Sequence, residues 1–506
     1  MKTSQSLGRK GLLSFVTNIM VSAFGLITLI FVKNAYGYEV LGMLAFALAY
    51  AQAFNFASDL GFGNAHQKIY NDNKIDKGVA NGTLITIKVI LSTITLLFLI
   101  LGFSFYEQFS NNNVGNDIFR LIIVLTIFKV YLDNLSMIFK NIFAAKIEKA
   151  KSTIPKISGR FIQLLLKLSF IFFGFSAIYM VWAEIFSSLL ILLLLIYFFR
   201  NDNFNLTNLE YIKKYSKFAI PVMFVGLISS LTQNIDRMLL QYFEGSFEVG
   251  IYALPSRITL IILGISLAVS GILFPLFSKY YSQKRLDLIN DLCNTSVKHV
   301  SILVLPLILF LIVFSEKILL ALFGDDAYLS SLQFQILLVS SFVYTITAPY
   351  SIQILSTGFL RFSFYLNIFI LLLNFILNMI FIPESLYGYE MIGLASVGAS
   401  LTTLIAFSLR AIVCFYIANV ITDTKFYFNI WKHIFSASLT ALLLNTLSTQ
   451  ISFSVYYLPL IFLLTGFTFI SFMFALGEVT RKDIEKYLSI INPMKMYQYI
   501  SSELRN

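Results

Sequence analysis

Two runs of this chain, GLLSFVTNIMVSAFGLITLIFV at 11–32 and PLIFLLTGFTFISFMFAL at 459–476, carry no charged residue. A helix rises about 1.5 Å per residue, so roughly 20 apolar residues cross the ~30 Å of bilayer hydrocarbon. Lipid offers nothing for a backbone N–H or C=O to bond, so a lipid-facing segment must close its hydrogen bonds internally. Runs of this length do so as helices. The rest of the chain is of the same kind. Over 506 residues it is 58% hydrophobic and 12% charged, with mean hydropathy +0.80. A soluble domain carries about 25% charged residues, and half of that cannot cover a water-facing globule of this size. The reading is an all-α integral membrane protein.

Apolar windows between polar breaks predict about 14 transmembrane helices, at 11–32, 39–63, 78–102, 118–143, 157–177, 179–199, 215–243, 249–278, 299–320, 330–357, 362–382, 391–419, 431–451 and 456–477. The loops test this map. With the N-terminus in the cytoplasm, the inside segments hold Lys68, Lys74, Lys77, Lys140, Lys146, Lys149, Lys151, Lys156, Arg200, Lys213, Lys214, Lys217, Lys279, Lys284, Arg285, Lys298, Arg361, Lys425 and Lys432. The outside loops hold Lys33 and Lys317 among Glu107, Asp117, Glu244, Glu248, Asp325, Asp326, Glu384 and Glu390. Positive loops stay inside, and one missed span would reverse every later loop. The expectation is a multi-pass protein of the cell (inner, cytoplasmic) membrane with both termini cytoplasmic. Lys2, Arg9 and Lys10 precede the first run, which is too long for a signal-peptide core and is read as an uncleaved span.

The net charge of +11 is then an orientation device first and an attraction to anionic lipid second, and it calls for no nucleic acid. No GxxxxGK[ST] loop is present, and GFGNAH at 61–66 lacks the third glycine of a dinucleotide turn. Cys293 and Cys414 offer neither a disulfide framework nor a CxxC metal site. His66, His299 and His433 fall near cytoplasmic span ends and read as interfacial polar residues. The expectation is no enzyme, no catalytic residue, no metal and no cofactor.

Charges inside the spans carry the information. A lone Lys, Arg or Asp at a helix centre costs about 2.5–3.5 kcal/mol, so such residues face a bundle interior or water. Lys88, Lys129 and Lys167 fall near span centres and together would cost roughly 7–10 kcal/mol in lipid. Lys129 can meet Asp133 one turn on, whereas Lys88 and Lys167 have no partner nearby in sequence. Asp236 and Arg237 are adjacent on span seven, about 100° apart, so one pairs across to another helix and the other lines a cavity with Arg257 of span eight. Asp59, in SDLGFG, suits a helix break where its carboxylate accepts backbone hydrogen bonds, while Arg160 and Arg410 suit the interface. The expectation is a cationic, water-filled cavity. Pro221, Pro255, Pro275, Pro306 and Pro349 mark kinks in the second half.

An internal repeat joins YGYEVLGMLAFALAY (36–50) to GSFEVGIYALPSRI (245–258), each opening the second span of a half. Six spans lie between the copies, so they share one orientation and are related by an axis along the membrane normal. The expected domains are a six-helix lobe at 1–200, a second at 201–420, two further helices at 421–480 and a cytoplasmic tail at 481–506.

The stretch TQNIDRMLLQYFEGSFEVGIYALPSRI (232–258), with Asp236, Gly250, Tyr252 and Arg257, together with SDLGFGNA (58–65), resembles polysaccharide transporters of the multidrug/oligosaccharidyl-lipid/polysaccharide exporter superfamily. The resemblance implies two pseudo-symmetric six-helix lobes around a central cationic cavity, and O-antigen-type flipping of lipid-linked sugars by alternating access. Fourteen spans match the lipid II flippase branch, but residues 11–32 hold none of the arginines expected there.

The expected function is a flippase moving a polyprenyl-(pyro)phosphate-linked oligosaccharide to the outer face of the cell membrane. Arg237, Arg257, Lys88, Lys129 and Lys167 would bind the anionic head, and Asp59, Asp133 and Asp236 would gate or couple ions. Partners would be the lipid-linked anionic oligosaccharide, membrane lipids and glycan-assembly proteins. The rivals are an ion-coupled multidrug exporter of the same superfamily, a lipid II flippase, and a scaffold that transports nothing.

Overall fold

The structure is a computed structural model that describes residues 2–71, 75–109, 117–146, 148–450 and 455–481. Of the sequence expectations, Lys74, the tail beyond 481 and the side chains of Lys2, Arg9, Lys10, Glu107 and Pro221 lie outside the described residues.

The described chain is almost entirely helical. Its helices are α1 (Lys2–Ala53), α2 (Phe62–Ile69), α3 (Lys77–Phe109), α4 (Asp117–Ala145), α5 (Lys149–Phe172), α6 (Ile178–Phe199), α7 (Leu209–Phe243), α8 (Ser246–Ser282), α9 (Leu286–Val313), α10 (Ser315–Phe323), α11 (Ser331–Ser356), α12 (Leu360–Phe381), α13 (Ala395–Thr422), α14 (Ile430–Gln450) and α15 (Leu458–Ala475). The first two expected spans form one long helix, broken at Gly37 by φ 75 and ψ −172, a left-handed conformation that a side chain disfavours. Among the described residues ten helices are long and apolar enough to cross a membrane, and eleven if α7 counts as one bent span. α5 and α14 are not among the ten, and each covers most of an expected span. The two segments of α7, Leu209–Ala219 and Val222–Phe243, meet at 53°. The break falls where Pro221 supplies no N–H to the helix ladder. Pro155, Pro255, Pro275, Pro306 and Pro349 all sit inside helices.

The chain divides into two compact units, Met1–Ala253 with Asn378–Ala395, and Leu254–Leu377 with Ser396–Asn506. In the first, α6 packs on α4 and α5, and α1 packs on α5, α4 and α7. In the second, α9 packs on α11, α14 and α15, and α14 packs on α15. A two-residue hairpin pairs Ser385–Leu386 with Tyr389–Glu390. Its turn residues Tyr387 and Gly388 both have positive φ, as such a turn requires.

Lipid-facing stripes are legible on single helices. On α4, Leu121, Val124 and Phe128 are 40–44% exposed. On α6, Trp182, Phe186, Leu189 and Leu193 form a similar stripe.

Candidate functional site

Asp133 lies about 140° around α4 from Phe128, and Glu184 lies on the opposite side of α6 from Phe186. Both therefore point into the first unit. There Lys129 Nζ stands 3.0 Å from Asp133 Oδ2 and 3.7 Å from Glu184 Oε2. Lys167 Nζ donates to Glu184 Oε1 at 2.7 Å, and Ser188 Oγ donates to Asp133 Oδ1 at 2.8 Å. One network thus ties α4, α5 and α6 together.

A second pair closes the helix break after α1. Lys88 Nζ donates to Asp59 Oδ1 at 2.6 Å, and the same oxygen accepts from Gly63 N at 3.3 Å. Leu60 and Gly61 both take positive φ here. The expected backbone-accepting role of Asp59 is present, with a lysine added.

Asp236 pairs across helices, as expected for one member of the Asp236–Arg237 pair. Its Oδ2 accepts from Tyr252 Oη at 2.8 Å and its Oδ1 from Asn378 Nδ2 at 2.7 Å. Tyr252 is thus joined to the Asp236 with which it shares the sequence motif. Arg237 is half-buried beside them, and Arg257 is exposed on α8 in the second unit.

Lys88 and Lys167, which have no partner nearby in sequence, each find one through space. All three central lysines are paired with carboxylates and are 1–6% exposed, whereas Asp59, Asp133 and Glu184 keep 33%, 31% and 21% exposure. The open side of these networks is acidic and the ammonium groups sit behind it. The physical reason is the cost of burying an unpaired ammonium. Pairing it through space relieves that cost, and residue spacing along one helix does not reveal such partners.

Sequence reasoning underused Glu184, which it placed in the outer part of span six without a role. It read Arg160 as an interface residue and Lys140 as part of an inside segment, and gave neither a role at a site. Both are half-buried on the inner faces of α4 and α5. Arg160 Nη1 donates to Gln163 Oε1. Asp133 lies within electrostatic reach of Lys129, Lys140 and Arg160, Glu184 within reach of Lys129, Lys167 and Arg160, and Lys156 extends this field from α5. Lys156 Nζ donates to Asn18 Oδ1 of α1 at 3.0 Å. The signal was available in the 3.6-residue period, which puts Lys140 on the face of Asp133.

The interfacial reading of His66 and His433 is also corrected, since both rings are fully buried. His66 Nδ1 lies 2.9 Å from Tyr215 Oη, and His433 Nδ1 lies 2.6 Å from Ser301 Oγ. Burial, followed by the nearby Lys146 charge, lowers the His66 pKa to about 4. No group of three or more His, Cys, Asp or Glu side chains arranged to hold a metal ion occurs among the described residues.

Long apolar helices with lipid-facing stripes, and ionisable groups turned inward and paired, define a polytopic membrane protein of the transporter class. The chain belongs to the polysaccharide biosynthesis protein family, whose model matches residues 7–281. The MatE model matches residues 221–380. Together these place it among the flippases and transporters of the multidrug/oligosaccharidyl-lipid/polysaccharide exporter superfamily. It is 20% identical over 434 residues to the "Probable low-salt glycan biosynthesis flippase Agl15" of Haloferax volcanii, covering 84% of this chain and 86% of that one. It is 30% identical over 204 residues to an uncharacterized membrane protein of Methanocaldococcus jannaschii, covering 40% and 44%. Its fold is similar to that of the lipid II flippase MurJ in an inward closed conformation, with TM-score 0.71 and 15% identity over 91% of this chain and 97% of that one. It is also similar to an inward-facing MATE-family multidrug transporter, with TM-score 0.66 and 16% identity over 80% and 94%.

Proposed function

We propose that this protein flips a polyprenyl-(pyro)phosphate-linked oligosaccharide from the cytoplasmic to the outer face of a cell membrane by alternating access of two lobes. The observation that carries the reading is a surplus of positive charge on the inner faces of α4, α5 and α6. There Lys129, Lys140, Lys156, Arg160 and Lys167 stand against Asp133 and Glu184. An anionic phosphate completes that balance, and the "Probable low-salt glycan biosynthesis flippase Agl15" of Haloferax volcanii is a relative over most of the chain.

In this reading Lys129 and Lys167 exchange their carboxylate partners for substrate phosphate, joined by Arg237 of the same unit. Charge-assisted bonds to phosphate are stronger than neutral ones, and guanidinium groups bind it as forks. The Lys88–Asp59 pair holds the helix break closed, so Lys88 reaches substrate only when Asp59 releases it. Asp133 and Asp236 balance charge as the substrate enters and leaves, and either is suited to ion coupling.

One observation favours a second reading. The exposed members of the inner networks are Asp59, Asp133 and Glu184, which suits export of cationic compounds coupled to an ion. Proteoliposomes separate the two. Flipping of a polyprenyl-pyrophosphate-linked oligosaccharide that is not competed by a cationic dye supports the flippase. Accumulation of the dye driven by a proton or sodium gradient, with no lipid flipping, supports the exporter and ends the flippase reading.

A further inference from the structure

The second unit contains a cavity of about 400 Å³ walled by α9, α11, α13 and the start of α14, with Val297, Ile346, Tyr350, Phe415, Phe426 and Ile430 among its lining residues. That volume lies within the range of small-ligand pockets, about 300–1,000 Å³. Among the described residues, the only side-chain polar atoms in its wall belong to Thr347, Tyr350 and Tyr427, and each takes part in a hydrogen bond. Thr347 Oγ1 donates to Val343 O at 2.6 Å, Tyr427 Oη donates to Glu478 Oε2 at 2.8 Å, and Tyr350 Oη accepts from Tyr427 N at 3.4 Å. A buried water needs two to four polar partners, and an apolar cavity without them stays dry. This cavity therefore suits hydrocarbon.

Its position supplies the hydrocarbon. Ile412, a lining residue, is 63% exposed and begins a stripe with Tyr416 and Val420 along α13. At i, i+4 and i+8, that stripe is the lipid-facing side of the helix. The cavity lies at the end of α13 and α14 that carries the 423–429 connection. Lys425 is exposed beside Phe426, and Phe428 and Trp431 are exposed on either side of Ile430. Aromatic residues with a lysine at a span end mark the headgroup level of a bilayer. Lys298 follows Val297, Lys425 N donates to Asn290 Oδ1 at 2.9 Å, and Asp291 and Asp423 are exposed nearby. Lys432 is already paired with Glu478 at 3.0 Å.

We propose that this cavity holds one acyl chain of an anionic phospholipid drawn from the adjoining leaflet, with the lipid phosphate beside Lys425. The site is separate from the charged networks of the first unit and stands whether or not the cargo is a lipid-linked sugar. The occupant is a resident lipid that fixes the packing of α13 and α14 against α9 and α11. Anionic headgroups are preferred because a lysine near a negatively charged leaflet gains electrostatic attraction.

The test uses the full chain in vesicles of phosphatidylcholine and phosphatidylglycerol, with a trace of phosphatidylglycerol carrying a diazirine at its acyl end. After irradiation, labelled peptides are identified by mass spectrometry. The expected labels fall on the α11 and α13 peptides that contain Ile346, Tyr350, Ala411 and Phe415. Unlabelled phosphatidylglycerol competes for them and phosphatidylcholine does not. Ala411→Phe, which fills the cavity, removes those labels while labels at Tyr416 on the open stripe remain. Lys425→Glu, a surface change that leaves the packing intact, abolishes the headgroup preference. Labelling unchanged in both variants overturns the proposal. So does competition by polyprenyl phosphate in place of phosphatidylglycerol, which assigns the cavity to cargo. So does a cross-link showing that residues 482–506 fill it.

Discussion

Gly42 and Gly250 face each other across a backbone contact in which a Cβ on Gly42 would first meet Ser246 O and a Cβ on Gly250 would first meet Tyr38 O. A Cβ on Gly42 would stand 2.8 Å from Gly250 N, and a Cβ on Gly250 would stand 3.2 Å from Gly42 N. The two residues belong to the two copies of the sequence repeat, and the copies meet reciprocally. Tyr38 and Phe247 stack edge to face at 5.9 Å, and each copy opens on a positive-φ glycine, Gly37 or Gly245.

Gly42→Leu or Gly250→Leu is expected to separate α1 from α8 and lower the midpoint of thermal unfolding in detergent, with a cost of about 1–3 kcal/mol, the usual range for overpacking. Gly264→Ala and Gly271→Ala, which meet no atom within 4 Å, are the controls and are expected to leave it unchanged. Equal midpoints for all four variants would sink the contact as a structural element.

Asp59→Asn removes the partner of a lysine that is 1% exposed. Breaking a buried pair from one side costs about 3–5 kcal/mol. Because Asp59 itself is a third exposed, the expected loss lies at or below the low end of that range. Lys88→Met combined with Asp59→Asn is expected to recover most of it. A double-mutant cycle by chemical denaturation that returns no coupling between the two positions rejects the pairing.

Arg160→Gln and Lys140→Gln leave the Lys129–Asp133 and Lys167–Glu184 bonds in place and reduce the positive surplus around them. Under the flippase reading each lowers the rate of lipid-linked oligosaccharide flipping in vesicles severalfold, with unfolding midpoints preserved. Full activity in the double variant would remove the charge argument for this site.

Two groups outside the spans give opposite pH dependences. Burial, with the neighbouring charges of Glu248 and Glu384, raises the Glu244 pKa above its ordinary 4.5. The folded state then holds that proton more tightly than the unfolded one, so the carboxylate's penalty at neutral pH is relieved as pH falls through the folded pKa. His66 is lowered from 6.5 to about 4, so the unfolded state binds the proton first. Stability is lost as pH falls from 6.5 towards 4, by roughly 3 kcal/mol in full. Glu244→Gln is expected to raise the unfolding midpoint at pH 7 and to flatten its rise on acidification. His66→Gln is expected to flatten the fall between pH 6.5 and 4. Midpoint–pH curves that match the unsubstituted protein in both variants would contradict both assignments.

Much of the fold was legible because hydrocarbon imposes a one-dimensional rule. A run such as 459–476 must close its own hydrogen bonds, and it does so as α15. The SDLGFG break was legible because it is local, Asp59 accepting from Gly63 N four residues on, whereas the Asp236–Tyr252 bond between two helices was not.

By itself, the sequence determined that the chain is a bundle of membrane helices with ionisable groups turned away from lipid, because each apolar run and each misplaced charge has a cost independent of its neighbours. The tertiary structure alone decided which carboxylate neutralises which amine. Lys88 finds Asp59 across 29 positions and Lys167 finds Glu184 across 17. Such partners are set by which helix faces pack together, and that choice lies in three dimensions.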